Sequence, residues 1–151
     1  MSSSPDRIDF GVLLNLAFGA LKARLHAHMR GAGFDDLGSS FGYVFRLLDR
    51  ESPSLAELAA TLGMTPQGAL KIVSDMTAKG YVNRVDDASD ARVRRLVLAP
   101  RGKRALAEAR KFHSRFEQEL GTQLGERRVA NARAVLEALA AEGEETEARP
   151  F

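Results

Sequence analysis

The sequence predicts a mainly α fold with a small β-hairpin wing, organised as a winged helix-turn-helix domain plus a helical dimerisation region. Two short helical patterns meet at a glycine between Ser54 and Gly80, and two alternating segments follow before Pro100. Longer helical patterns with broad apolar faces stand on both sides of this stretch. Two helices joined by a tight turn and followed by a hairpin are the elements of a winged helix.

The first short helix is predicted over residues 55–62. Ser54 and Glu57 have the spacing of a capping box, in which each side chain accepts a hydrogen bond from the other residue's backbone amide. Gly63 is expected to end the helix, because glycine adopts a positive φ at little cost. The apolar residues of this helix share one face: Leu55, Leu58, Ala59 and Leu62.

The second short helix is predicted to start after Thr65, whose hydroxyl can cap it, and Pro66 suits its first position. Gly80 is expected to stop it. Its inner face consists of Ala69, Ile72, Val73 and Met76. The opposite face is then free to lie in a DNA major groove, as the second helix of a helix-turn-helix does.

The segment after Gly80 is predicted to form the hairpin. Tyr81–Val85 and Arg95–Leu98 alternate as strands do, and the charged residues between them do not suit a core. From Lys71 to Arg104 there are nine basic and four acidic residues, a local charge of +5 in a chain whose net charge is +2. A basic patch on one module is typical of phosphate binding.

Four motifs then follow one another at a characteristic spacing. They are Leu58-Ala59, Lys79-Gly80-Tyr81-Val82-Asn83-Arg84, Asp90-Ala91-Arg92 and Leu98-Ala99-Pro100-Arg101-Gly102. With these motifs the chain resembles the MarR family of winged-helix transcriptional regulators over about residues 8 to 140. The resemblance implies a homodimeric repressor that binds a pseudo-palindromic operator in double-stranded DNA and is released by a small molecule.

Further helices are predicted on both sides of the winged helix. Residues 8–31 form one helix with a broad apolar face, residues 101–120 form a second, and residues 126–141 form a third after a break at Gly121 and Gly125. One small module cannot bury all these faces, which favours a homodimer built by residues 8–31 and 101–141. The whole chain, residues 1–151, is expected to form a single domain with residues 34–100 as its DNA-binding part.

The outward face of the second short helix supplies the first candidate DNA contacts. Gln67 is the best candidate for reading a base, because its amide can pair with adenine through two hydrogen bonds. Lys71 can reach guanine or phosphate, Leu70 can touch a thymine methyl group, and Thr65 can contact phosphate while capping the helix. The candidates on this helix are Thr65, Gln67, Gly68, Leu70, Lys71 and Ser74.

The wing supplies the remaining candidates, Arg84, Asp90, Arg92 and Arg94. The resemblance implies that Arg92 enters the minor groove, where narrow A·T-rich segments concentrate negative potential. Asp90 repels phosphate, so we expect it to hold Arg84 or Arg92 by a charge-assisted hydrogen bond. Arg94 and Arg95 point to opposite sides of a strand, so only one of them faces DNA easily.

An effector site is also implied by the resemblance, between the dimer helices and the DNA-binding part. Its candidate residues are Phe18, Leu21, Arg24, Phe41 and Phe45. The aromatic residues suit a small aromatic effector and Arg24 suits an anionic one. Aromatic residues at helical spacing are also common as plain core, and that alternative stays open.

Other classes of function fit the sequence less well. The three histidines and the absence of cysteine leave neither a metal site nor a nucleophile beside a base, so we expect no enzyme, metal or cofactor. The apolar run from Phe10 to Leu21 is too short to span a bilayer, so we expect no membrane partner. The absence of cysteine fits a cytoplasmic location, which we expect. A winged helix that binds proteins without DNA is the alternative, although such a module does not need a basic wing.

Overall fold

Six helices and one two-stranded hairpin form the described part of the chain, which is residues 7–145, with side chains to residue 142, in a computed structural model. The elements are α1 (Phe10–Gly31), α2 (Phe41–Leu48), α3 (Leu55–Leu62), α4 (Pro66–Ala78), β1 (Val82–Asp86), β2 (Arg94–Leu98), α5 (Pro100–Leu124) and α6 (Glu126–Glu145). The predicted fold class is confirmed. The ends of the predicted domain, residues 1–6 and 146–151, lie outside the described residues.

The chain divides into two units, residues 1–35 and 36–151. In the first unit, α1 ends at Gly31, the predicted end of the first helix, and Gly33 follows with a φ of 89°. Most of the apolar side chains of α1 are exposed. They include Phe10, Val12, Leu13, Leu16 and Phe18.

The helix-turn-helix of the second unit has the predicted caps. Ser54 Oγ accepts a hydrogen bond from the Glu57 amide at 3.2 Å, and Glu57 Oε2 accepts one from the Ser54 amide at 2.8 Å. Gly63 ends α3 with a φ of 65°. Thr65 Oγ1 accepts a hydrogen bond from the Gly68 amide at 3.1 Å at the start of α4. These bonds satisfy amide groups that a helix start leaves without an intrahelical partner.

The hairpin is antiparallel and pairs Val82 with Leu98 and Asp86 with Arg94. The Leu96 amide also donates to the Pro53 carbonyl at 2.9 Å, which attaches β2 to the segment before α3. The core of this unit collects buried side chains from α2 to α5. They include Val44, Phe45, Leu58, Val73, Met76, Tyr81, Val82, Leu96 and Leu106. The apolar faces predicted for the helix-turn-helix therefore close on one core.

The last two helices both extend beyond their predicted ends, and α6 continues past residue 141 to Glu145. The helix predicted to end at residue 120 continues through Gly121 to Leu124 and breaks only at Gly125, which has a φ of 97°. An isolated glycine inside a helix costs only about 1 kcal/mol relative to alanine, which the rest of α5 outweighs. The apolar face of α6 is exposed within this chain, including Val135, Leu136 and Leu139.

Candidate nucleic-acid interface

The recognition helix α4 is joined to α5 by a cluster that we call the junction, made of Asp36, Tyr81, Arg101 and Gly102. The Tyr81 side chain is fully buried, and its hydroxyl donates a hydrogen bond to the Asp36 carboxylate. The Arg101 guanidinium lies 4.4 Å from the centre of the Tyr81 ring. It donates to both oxygens of Asp36, at 3.0 and 3.1 Å, and to the carbonyl of Lys79. The end of α4 is thus tied to the start of α5.

Gly102 lets the backbone approach closely at the junction. The Ala99 amide donates to the Tyr81 carbonyl at 2.9 Å, and a Cβ on Gly102 would lie 2.2 Å from that same oxygen. No side chain fits at that distance. Much of the motif that carries the family resemblance, from Lys79 to Tyr81 and from Arg101 to Gly102, therefore makes contacts that hold the fold together.

The Asp36 carboxylate stays ionised in this setting. Its partial burial favours the neutral form, but hydrogen bonds from Tyr81 and Arg101 and the charge of Arg101 outweigh it and lower the pKa of Asp36 below 3.8. Asp36 was not among the residues predicted from sequence, because its partners are far from it along the chain.

The structure places the predicted contacts of α4 on one exposed face. Ala69, Val73 and Met76 are buried on the opposite side. Gly68 is half-buried, and a Cβ there would lie 3.2 Å from Thr65 Oγ1, so its role includes room for the cap. The exposed candidates are Thr65, Gln67, Leu70, Lys71 and Ser74.

The turn of the wing, residues 87–93, is built on Asp87. Its Oδ1 accepts hydrogen bonds from the Ser89 amide at 2.8 Å, the Ser89 hydroxyl at 2.6 Å and the Asp90 amide at 3.1 Å. The bonds from Ser89 and then from Arg95 place the pKa of Asp87 far below its usual range. Sequence reasoning treated Asp87 only as part of a charged loop, although aspartate two residues before serine is a turn signal.

Asp90 holds Arg92 and not Arg84. The Arg92 Nε and Nη2 atoms lie 3.1 and 3.2 Å from the two Asp90 oxygens, and the Arg92 amide donates to Asp90 Oδ1 at 3.0 Å. These bonds, the side-chain ones first, lower the pKa of Asp90. The Arg92 side chain is nevertheless 91% exposed. The carboxylate therefore orients this arginine without covering it.

The other cations near the wing fall into two groups. Arg94 is exposed and pairs with Asp86 at 3.1 Å, whereas Arg95 is half-buried, so the predicted alternation of the two side chains is confirmed. Lys71 and Arg84 are exposed and have no ion pair among the described residues.

The candidate effector residues lie in both units. Phe41 and Phe45 are buried and contact the Tyr81 ring edge to face, with centroids 5.8 and 5.6 Å away. In the first unit, Leu21 is half-buried, while Phe18 and Arg24 are exposed. The two buried rings thus belong to the aromatic core beside the junction, and an effector site at the five residues stays a prediction.

Two other kinds of site concern metal ions and membranes. Within residues 7–145, no three histidine, aspartate or glutamate side chains are grouped so that they could hold a metal ion. In the same range, no helix combines the length and apolar character needed to cross a membrane.

The geometry is that of a winged helix-turn-helix protein, and comparisons with known proteins show which family it resembles. Residues 39–93 match the model of the MarR family. The resemblance to MarR winged-helix transcriptional regulators is thereby confirmed over these residues. This is not a family of enzymes, in agreement with the prediction.

Solved structures share the fold of this chain. FabT from Streptococcus pneumoniae, in complex with DNA, matches with a TM-score of 0.73 and 18% identity, covering 91% of this chain and 99% of FabT. A mutant of MepR from S. aureus bound to an oligodeoxyribonucleotide matches with a TM-score of 0.63 and 17% identity, covering 90% and 99%. The transcriptional regulator PA3341 is 25% identical, with a TM-score of 0.64 and coverage of 91% and 99%. A search of curated proteins found no match.

Proposed function

We propose that this protein is a homodimeric, cytoplasmic transcriptional repressor that binds double-stranded DNA through α4 and the wing and is released by a small molecule. The observation that carries the DNA-binding part is the joint exposure of a polar recognition face on α4 and of arginines on the wing beside it. The fold is that of FabT and MepR, both of which were solved with DNA.

The α4 face suits a major groove. Gln67 and Ser74 offer hydrogen bonds to base edges, Leu70 offers an apolar contact, and Lys71 offers a charge. Because the buried face of α4 is closed by the core and its start is capped, these side chains project from a rigid helix. A rigid support favours sequence-specific contacts.

The wing suits the minor groove and the phosphates. Arg92 is exposed and oriented by Asp90, and because an ion pair this exposed contributes little to stability, exchange of that carboxylate for DNA costs little. Arg84 is exposed and has no ion pair in the described chain. Helix α4 carries few side chains that can donate or accept hydrogen bonds to DNA bases. More of the sequence specificity is therefore expected from the wing and from DNA shape.

The exposed apolar faces of α1 and α6 support the homodimer. Faces of this kind on a single chain mark an association surface. A two-fold dimer would place two recognition helices about one turn of B-DNA apart, which predicts a pseudo-palindromic operator. Release by a small aromatic or anionic effector rests on the family resemblance, with Phe18, Leu21, Arg24, Phe41 and Phe45 as the residues to test.

The DNA-binding proposal is tested by selection of bound duplexes from a random pool, followed by titration of the selected site. We expect a pseudo-palindrome. Gln67→Ala should weaken binding to it by about 1–3 kcal/mol and relax the preference at one position per half-site, with little change in salt dependence. Absence of binding to any duplex at low salt would favour the protein-interaction alternative.

The dimer is tested by sedimentation at micromolar concentration. We expect a dimer, and Leu16→Glu or Phe116→Glu should dissociate or unfold it, because a charge would be placed in an apolar interface. A well-folded monomer of the parent protein would contradict the proposed assembly.

A further inference from the structure

Arg95 stands apart from the other wing cations because it connects the wing to the helix-turn-helix. Its Nε lies 2.5 Å from Asp87 Oδ2 in the wing turn, and its Nη1 lies 2.7 Å from Glu57 Oε2 at the start of α3. The Arg95 side chain is 30% exposed and that of Asp87 is 13% exposed. One guanidinium therefore joins two elements that are 30 residues apart in sequence at Asp87 and Glu57.

Both ends of this connection are already organised. Glu57 Oε2 also accepts the Ser54 amide of the capping box, so its position is set by the helix start. Asp87 Oδ1 organises the wing turn through Ser89 and Asp90, while Oδ2 remains for Arg95. A displacement of the turn relative to α3 would have to break a charge-assisted hydrogen bond, which is among the stronger contacts in proteins.

We propose that Arg95 is a positioning residue that fixes the wing relative to the recognition module and thereby sets how Arg92 meets the minor groove. The hairpin itself has only two strands, and isolated two-stranded hairpins are marginally stable in water. The attachment through Arg95, together with the bond from Leu96 to Pro53, supplies the missing support. Arg95 acts through the wing and does not need to touch DNA. This inference rests on the proposed DNA-binding function.

Variants at three positions distinguish a residue that positions the wing from one that only stabilises the fold. Arg95→Leu removes both contacts and suits a strand position opposite Val85. Glu57→Gln keeps an oxygen for the Ser54 amide, as glutamine does in capping boxes, but removes the charge that Arg95 meets. Arg110→Leu is the matched control, because it removes one arginine and one exposed ion pair, with Asp49 at 2.7 Å, far from the wing in sequence.

The first measurement is hydrogen exchange of the free protein. In Arg95→Leu the amides of Ser89, Asp90, Arg92 and Val93 should exchange about tenfold or more faster, while amides of α4 keep the parent rates. Glu57→Gln should show a smaller acceleration confined to the same turn, and Arg110→Leu none. Equal acceleration throughout the domain, or none in the wing turn, would overturn the proposal.

The second measurement compares DNA affinity on one selected site with A·T-rich and with G·C-rich flanks. We expect the parent to bind the A·T-flanked site more tightly than the G·C-flanked site. Arg95→Leu should bring the ratio of these two affinities towards one, whereas Arg110→Leu should keep the ratio of the parent. Arg95→Lys, which keeps the charge but not the two-pronged geometry, should recover only part of the preference. If Arg95→Leu lowered the unfolding temperature but left the preference for A·T flanks unchanged, Arg95 would stabilise the fold without positioning the wing, and the proposal would be wrong. Failure of the parent protein to bind any duplex would instead contradict the proposed DNA-binding function. The hydrogen-exchange measurement would still test whether Arg95 fixes the wing turn.

Discussion

Two aspartate–arginine pairs in this protein have the same chemistry in different surroundings. At the junction, Arg101 donates through two nitrogens to both oxygens of Asp36, and in the wing turn Arg92 does the same to Asp90. The Arg101 side chain is 30% exposed and lies over the buried Tyr81 ring, whereas that of Arg92 is 91% exposed. The difference in environment, and not in partner, assigns the two arginines different roles.

The junction pair cannot exchange its partner without exposing buried groups. Loss of Asp36 would remove the carboxylate that Arg101 and the Tyr81 hydroxyl share, whereas loss of Arg101 would remove two donors from the Asp36 charge. Either change is costly in a partly buried site. The wing pair loses little when water or phosphate replaces its carboxylate. Substitutions at the junction should therefore lower stability, and substitutions at the wing turn should lower DNA binding.

The largest loss of stability is expected for Gly102→Ala. The added Cβ would lie 2.2 Å from the Tyr81 carbonyl oxygen, so backbone must move. We expect destabilisation of about 3 kcal/mol or more in urea unfolding. Gly42→Ala is the control, because nothing lies within 4 Å of its added Cβ in α2, and it should be neutral or stabilising by up to about 1 kcal/mol. Similar stability of the two variants would contradict the claim that the close backbone approach at Gly102 supports the fold.

A smaller loss is expected for Tyr81→Phe. The ring and its aromatic contacts remain, but the Asp36 carboxylate loses one donor while keeping both from Arg101. Hydrogen bonds to charged groups contribute about 1.5–3 kcal/mol, which sets the expected loss in thermal and urea unfolding. The exposed Tyr43→Phe should change stability by less than about 0.5 kcal/mol. Equal effects at the two positions would show that the buried hydroxyl contributes nothing specific.

The pH dependence of the free energy of unfolding should show the contribution of the Asp36 carboxylate. The folded pKa of Asp36 lies below its ordinary 3.8, so its ionised form stabilises the fold above that pH and the contribution is lost as pH falls through the folded value. Asp36→Asn should start from lower stability at pH 7 and fall less steeply below about pH 4. The comparison requires unfolding curves of both proteins from pH 7 to pH 2. Parallel curves would contradict the lowered pKa.

Much of the local structure follows from short sequence signals. The caps at Ser54 and Thr65 and the glycine at position 63 act within a few residues, so spacing alone predicts them. The alternation of side chains along a strand likewise predicts that Arg94 and Arg95 point to opposite faces. Such signals are reliable because the interacting groups are neighbours along the chain.

The contacts that position the candidate interface were less predictable. Asp36 meets Arg101 across 65 residues, and Glu57 meets Arg95 across 38. Pairings at this distance depend on the finished fold, and a charged residue alone does not name its partner. The exposed faces of α1 and α6 were predicted as apolar, but a single chain does not contain the surface that would cover them.

The central claim is that the wing turn contacts DNA while the junction supports the fold, and Arg92→Ala tests it most directly. Its unfolding temperature should match that of the parent, because its ion pair is exposed. Titrations of one selected duplex at several salt concentrations should show weaker binding and a slope of log K against log salt that is smaller by about one per subunit. A variant that binds like the parent at every salt concentration would contradict the claim and favour the protein-interaction alternative.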